Sequence, residues 1–254
     1  MEAARRSAGT LPAAPSNGKR PARRTRAPVK AGSQRHHLMQ MALGAFLVAK
    51  DAAANLREAL ARPSGLAFLA IKECEKELDQ LERAIDEEIP RALAQVSEND
   101  AREILASLKL IIDLERIGDL VLWVAMRLQR SHPRLPKPDT RLLAEMSQVL
   151  ESLLGQLHEG FLQRDLESAR TVVQADNRLD EMRHSAFRRH LEGRDPQDTS
   201  RRIDVLLMAQ ALERAGDHGK NLAEELFYLV EGRSLRHVTA RQRQTEFELA
   251  RNVR

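Results

Sequence analysis

The sequence predicts an all-α protein built as two tandem three-helix bundles, and three observations predict it. Aromatic residues make up only 3% of the chain while Leu, Ala, Glu and Arg dominate with few β-branched runs, a composition that favours helix over sheet. The segment Leu114-Glu115-Arg116-Ile117-Gly118-Asp119 returns as Leu212-Glu213-Arg214-Ala215-Gly216-Asp217, 98 positions later, which marks an internal duplication. The apolar periodicity reads helix, long helix, long helix, then a proline-rich joint, then the same again.

Residues 1–35 hold nine Lys or Arg and one acid, Glu2, together with four of the ten prolines and almost no large apolar side chain. Such a segment cannot bury enough surface to order itself. Met39 and Met41 stand where folded sequence begins, so an over-extended start accounts for this tail as well as a basic arm does. The first helix follows from Leu38 to about Ala61, with Leu43, Leu47, Ala54 and Leu60 opposite Asp51, Arg57 and Glu58, and Arg62-Pro63-Ser64-Gly65 breaks it. The second runs from about Leu66 to Val96 with a kink expected at Pro90, where the backbone loses a donor. Ser97-Glu98-Asn99-Asp100 resembles a capping box with Asp for Glu or Gln and starts a third helix to about Gln129.

Three prolines in Pro133-Arg134-Leu135-Pro136-Lys137-Pro138 forbid helix and make a short stiff joint. Beyond it Asp139 or Thr140 caps a fourth helix to about Gln163, and Asp165 caps a fifth to about Leu191, stopped by Gly193. A sixth starts at Asp198, Thr199 or Ser200 and ends at Gly232. The expected boundaries are a basic tail at 1–37, a first bundle at 38–131, a linker at 132–138, a second bundle at 139–232 and a loosely attached C-terminal tail at 233–254.

The net charge of +4 averages two unlike parts, because residues 1–35 carry +8 and the remainder −4. A mildly acidic folded part with few aromatics to stack on bases argues against nucleic-acid binding as the main task. Cys74 is the only cysteine, so no intramolecular disulfide forms and a reducing cytoplasm is the expected setting. The most apolar run, Leu38 to Ala49, starts too late for an ordinary signal peptide and falls short of the roughly 20 residues a spanning helix needs. Membrane work would therefore pass through a partner.

Glu115 and Asp119 interrupt the apolar stripe Ile104, Leu108, Ile111, Leu122 and Met126 of a helix that is apolar on nearly every side. Glu213 and Asp217 repeat the pair. The middle helix of each half offers another at the same i, i+4 spacing, Glu75 with Asp79 and Asp176 with Asp180. Burying carboxylates without partners costs several kcal/mol, so they are expected to be protonated, paired with Arg or bound to a cation. One such pair on a charged helix is commonly a salt-bridged one, and Arg116 and Arg214 stand beside Glu115 and Glu213. Four pairs at equivalent places favour metal: a nest of four acids per bundle suits Mg, Mn, Fe or Zn. Gly118 and Gly216, costly in mid-helix by about 0.5–1 kcal/mol, point to close approach of a neighbouring helix or ion. His218, Asn221 and Glu224 are candidate supporting residues, and His184 is expected to meet solvent or a carboxylate.

With these residues in view, the chain resembles the PhoU family of phosphate-signalling regulators. The likeness spans about residues 38–235 and rests on Asp113-Leu114-Glu115-Arg116-Ile117-Gly118-Asp119, on Leu212 to Glu224 and on the close Tyr228-Leu229-Val230-Glu231-Gly232. It implies PhoU-type bundles binding multinuclear metal clusters, with ligands Glu75, Asp79, Glu115 and Asp119 in one half and Asp176, Asp180, Glu213 and Asp217 in the other. It further implies a non-enzymatic negative regulator linking the ATPase of a phosphate ABC transporter to a sensor histidine kinase, and so limiting phosphate uptake. The sequence departs from the pattern after Asp119, where Leu120-Val121-Leu122-Trp123 lacks the His and Asn that follow Asp217, so the first site is expected to hold metal more weakly or differently. Two rival readings stand beside this one. An accessory regulator of a sodium-phosphate cotransporter would share the fold. A di-iron oxidoreductase needs Glu-x-x-His on two helices, and in the acid-bearing stretches the chain offers Glu181-x-x-His184 once. Whether the protein forms a homodimer is left open by the sequence.

Overall fold

The computed structural model describes residues 31–62, 64–131, 135–191 and 199–235, with Gln242 and Glu246 beyond them. The basic tail through Lys30, the linker stretch 132–134, Gly193 and Asp198 lie outside the described residues. Among the described residues, six long helices carry the fold: α1 (Ala31–Ala61), α2 (Gly65–Ala92), α3 (Glu98–Ser131), α4 (Lys137–Gln163), α5 (Leu166–Leu191) and α6 (Thr199–Glu231). The all-α expectation holds, and α1–α3 and α4–α6 each pack as a three-helix bundle.

The two bundles share one hydrophobic core. α1 lies along α4 and α3 along α6, so these four helices form the centre, while α2 and α5 flank it on their own bundles. The reason is legible in α1, whose Ala42, Ala45, Ala49, Ala52 and Ala53 are all buried and let α4 come close. At that seam Ser147 Oγ donates to the Ala53 carbonyl at 2.8 Å, and Phe46 packs against Phe161 with ring centroids 5.5 Å apart.

Several expected ends are confirmed. Ser97 Oγ accepts from the Asp100 N–H at 3.2 Å and donates to its carboxylate at 2.8 Å, starting α3. Asp165 caps α5 by accepting from the Glu167 and Ser168 N–H groups, both at 3.1 Å. Gly232, at φ +73°, ends α6, where a side chain would be strained.

Other ends differ. α1 starts at Ala31, inside the segment expected to be tail, because Arg35 reaches Asp100 at 2.7 Å and Glu103 at 3.2 Å and fixes that turn to α3. α2 stops at Ala92 and passes into a 3₁₀ turn at Leu93–Gln95, two residues after Pro90. α4 begins at Lys137 with Pro136 as its capping residue, so Pro138 sits in the first turn, where its missing N–H costs nothing. Asp139 therefore does not cap; it is buried and takes Arg189 at 2.5 Å and His190 at 2.9 Å. α3 also exposes one stripe, Leu105, Ile112, Trp123 and Met126, against the expectation of burial on nearly every side. Among the described residues, no helix is long and apolar enough to cross a membrane.

Candidate metal centre

α2 and α3 run antiparallel, and the glycine of the repeated motif sets their separation. A Cβ on Gly118 would lie 2.5 Å from Leu78 Cδ1, and one on Gly216 would lie 2.4 Å from Leu179 Cδ1. The close approach expected of both glycines is thus that of a neighbouring helix, made the same way in each half. It also fixes the structural correspondence: positions on α3 and α6 differ by 98, as Gly118 and Gly216 do, and those on α2 and α5 by 101, as Leu78 and Leu179 do.

In the first half α2 places Glu75, Asp79 and Glu82 on one face at i, i+4 and i+7, opposite Glu115 and Asp119 on α3. Oxygens of Asp79, Glu82 and Glu115 all lie within 4.8 Å of one another. Two ionised carboxylates at that distance repel by about 1–3 kcal/mol, depending on how much water screens them. Burial, then the charges of Asp119, Glu82 and Asp79, pushes Glu115 up to about 7 against the pull of Arg116. Burial also raises Glu75, with Asp79 and Asp119 adding to it, and raises Glu82, with Asp86 next and Arg116 opposing.

The available cations sit at the rim. Arg83 pairs with Asp79 at 2.6 Å but is 72% exposed, and Arg116 touches Asp119 at 3.3 Å and Glu115 at 3.5 Å from a side chain 57% exposed. Glu115 is 8% exposed and its Oε2 accepts no hydrogen bond. A buried carboxylate oxygen without a hydrogen bond, beside two further carboxylates, fits a hard divalent cation: oxygens on one ion stand at most about 4–5 Å apart, twice the metal–oxygen distance.

The second half is built differently. Lys220 Nζ sits between Asp176 Oδ2 and Asp217 Oδ1, 2.9 Å from each. Arg183 binds Asp180 Oδ1 at 3.0 Å and approaches Glu213 Oε1 at 3.6 Å. Asp176, 7% exposed, is raised by burial and held down in part by Lys220; Glu213 is raised by burial and by Asp217, with Arg183 opposing. Burial pulls the Lys220 ammonium down, but its bonds to Asp217 and Asp176 outweigh that and leave it raised. Among the described residues, no three acids here converge as the first-half trio does.

All eight sequence-predicted acids therefore face the α2–α3 or α5–α6 seam, yet to different depths. Glu115 and Asp176 are buried, Glu75, Asp79, Asp119, Asp180 and Glu213 are intermediate, and Asp217 is exposed at the lip. His218 and Asn221 do not support the second site: they reach Asp113 on α3 at 2.8 and 3.5 Å and tie the two halves together. His184 is exposed and bonds its own helix at the Asp180 carbonyl, 2.9 Å away, so Glu181-x-x-His184 points outward. Cys74 is half-buried. Reading the sequence missed Glu82, Lys220 and Arg183; the i, i+4, i+7 series from Glu75 was the available signal for Glu82.

The PhoU domain matches the chain twice, at residues 45–128 and 143–226. Among curated relatives, the phosphate-specific transport system accessory protein PhoU homolog of Pseudomonas aeruginosa is 33% identical over 220 residues, spanning 84% of this chain and 89% of that protein. The homolog from Pseudomonas putida is 32% identical over 219 residues and covers 84% of each. The crystal structure of PhoU from Pseudomonas aeruginosa superposes with a TM-score of 0.74 at 27% identity, over 80% of this chain and 100% of that one. The phosphate transport system regulatory protein PhoU from Streptococcus pneumoniae, at 23% identity, shares the fold with a TM-score of 0.72, over 81% of this chain and 99% of that one. The chain belongs to the PhoU family and carries two PhoU domains in tandem.

Proposed function

We propose that this protein is an accessory negative regulator of phosphate transport, a cytoplasmic metal-binding adaptor between the ATPase of a phosphate ABC transporter and a sensor histidine kinase, and not an enzyme. The observation that carries the reading is the match along nearly the whole folded chain to relatives named as accessory proteins of the phosphate-specific transport system. The geometry supports an adaptor: six long helices on one continuous core make a stiff body, and Arg127–Asp204, Lys109–Glu225 and His218–Asp113 lock α3 to α6. Asp79, Glu82 and Glu115 would hold the ion, which would supply the positive charge their mutual repulsion calls for and tie α2 to α3.

The test is deletion of the gene in its host, followed by phosphate uptake and a phosphate-starvation reporter in rich phosphate. Raised uptake and a reporter switched on are expected, both reversed by the wild-type gene. Normal repression in the deletion strain overturns the regulatory reading. Affinity capture of the wild-type protein then discriminates between the expected ABC-transporter ATPase and a sodium-phosphate cotransporter.

A further inference from the structure

We propose that the two halves use cations differently: the first half takes a divalent ion, whereas Lys220 and Arg183 are the resident counter-ions of the second, which is complete without metal. The inference rests on the metal-binding part of the reading above and assigns it to one half. It follows from comparing equivalent positions in the correspondence fixed by Gly118 with Leu78 and Gly216 with Leu179. Lys220 on α6 corresponds to Leu122 on α3, and Arg183 on α5 corresponds to Glu82 on α2.

Each exchange moves charge in the same direction. At the first, the second half gains an ammonium where the first has a hydrocarbon side chain. At the second, it gains a guanidinium where the first has another carboxylate. The first half thus gathers five acids, Glu75, Asp79, Glu82, Glu115 and Asp119, with its arginines outside at the rim. The second gathers four, with two cations inside: Lys220 and Arg183 are 25% and 19% exposed, far less than Arg83 and Arg116.

Hydrogen bonding agrees with the charges. In the second half the buried carboxylate, Asp176, receives Lys220 at 2.9 Å, and Glu213 receives Gln210 Nε2 at 2.8 Å. In the first half Glu115, 8% exposed, has an oxygen within 4.8 Å of Asp79 and Glu82, and its Oε2 accepts no hydrogen bond, its nearest cation being the exposed Arg116 guanidinium at 3.5 Å. An ion entering the second half would have to displace a half-buried ammonium already bonded to two of its ligands; one entering the first meets only the exposed guanidinium groups of Arg83 and Arg116.

The test is Mn²⁺ binding to the full-length protein by equilibrium dialysis, with circular dichroism confirming the fold of each variant. Wild type and the Asp176→Asn/Asp217→Asn variant are expected to bind the same amount with the same affinity. Asp79→Asn/Glu115→Gln is expected to lose at least tenfold in affinity, and so is Leu122→Lys, which places an ammonium in the first half as Lys220 does in the second. Lys220→Gln/Arg183→Gln is expected to gain a second class of site. Loss of half the bound Mn²⁺ in Asp176→Asn/Asp217→Asn would overturn the division of labour while leaving metal binding intact. Absence of binding in wild type would overturn both together.

Discussion

Replacing Glu115 by Gln keeps the shape of the side chain and removes its charge, and the structure fixes both the sign and the size of the effect on metal-free protein. The Glu115 carboxyl is raised from its ordinary value of 4.5 to about 7, first by burial and then by Asp119, Glu82 and Asp79. The folded state therefore holds this proton more tightly than the unfolded chain does. Its stabilising contribution is complete below about pH 4.5 and is lost as pH rises through about 7. At 1.36 kcal/mol per unit the ceiling is about 3 kcal/mol, and screening at a rim where Asp119 is 43% exposed reduces it to about 1–2 kcal/mol. Urea denaturation followed by helical circular dichroism, in chelator at pH 5 and pH 8, reads the difference. Glu115→Gln is expected to match wild type at pH 5 and to exceed it by about 1–2 kcal/mol at pH 8. Taking the difference between the two proteins cancels the other raised carboxyls, Glu75, Glu82, Asp176 and Glu213. Parallel pH dependence in wild type and variant would refute the placement of Glu115 as a buried acid among like charges.

Lys220→Met leaves Asp176 buried beside Asp217 with no cation between them and is expected to cost about 1–3 kcal/mol in thermal unfolding, with Asp176→Asn in the same chain restoring most of it. Gly216→Val drives a branched side chain into Leu179, which has no exposed surface through which to retreat, for an expected loss of about 1–3 kcal/mol on denaturant titration. Phe46→Ala removes a fully buried ring from the α1–α4 seam and is expected to cost about 3–5 kcal/mol. Because the core is continuous, Phe46→Ala should lower one cooperative calorimetric transition for the whole chain; separate transitions with only one affected would argue for independent bundles.

The fold was legible where local chemistry decides it. Ser97, Asp165 and Gly232 act at helix ends as their types and spacing predict, and the Leu-Glu-Arg-x-Gly-Asp repeat announces the duplication. It was less legible where a distant partner overrides composition. Residues from Ala31 on look like tail by content, yet Arg35 finds Asp100 and Glu103 on α3. The lateral union of the bundles depends on small residues such as Ala49 and Ala53, whose partners on α4 no local pattern specifies. The candidate site divides in the same way. Its eight acids stand out because both halves share them, and searching for what repeats hides what does not. Glu82 and Arg183 occupy one position with opposite charge, and Lys220 corresponds to Leu122, so the repeat conceals the residues that make the halves unlike. His218 follows Asp217 in sequence but turns to Asp113, because one step along a helix rotates a side chain by about 100° onto the face that meets α3.

The proposed divalent-cation site is the set of converging carboxylates on α2 and α3. Calorimetric titration of Mn²⁺ into chelator-stripped protein, wild type beside Asp79→Asn/Glu82→Gln/Glu115→Gln, addresses it most directly. Saturable binding in wild type and its loss in the triple variant, both folded, is the predicted result. Equal heats and equal affinity in the two proteins would contradict it.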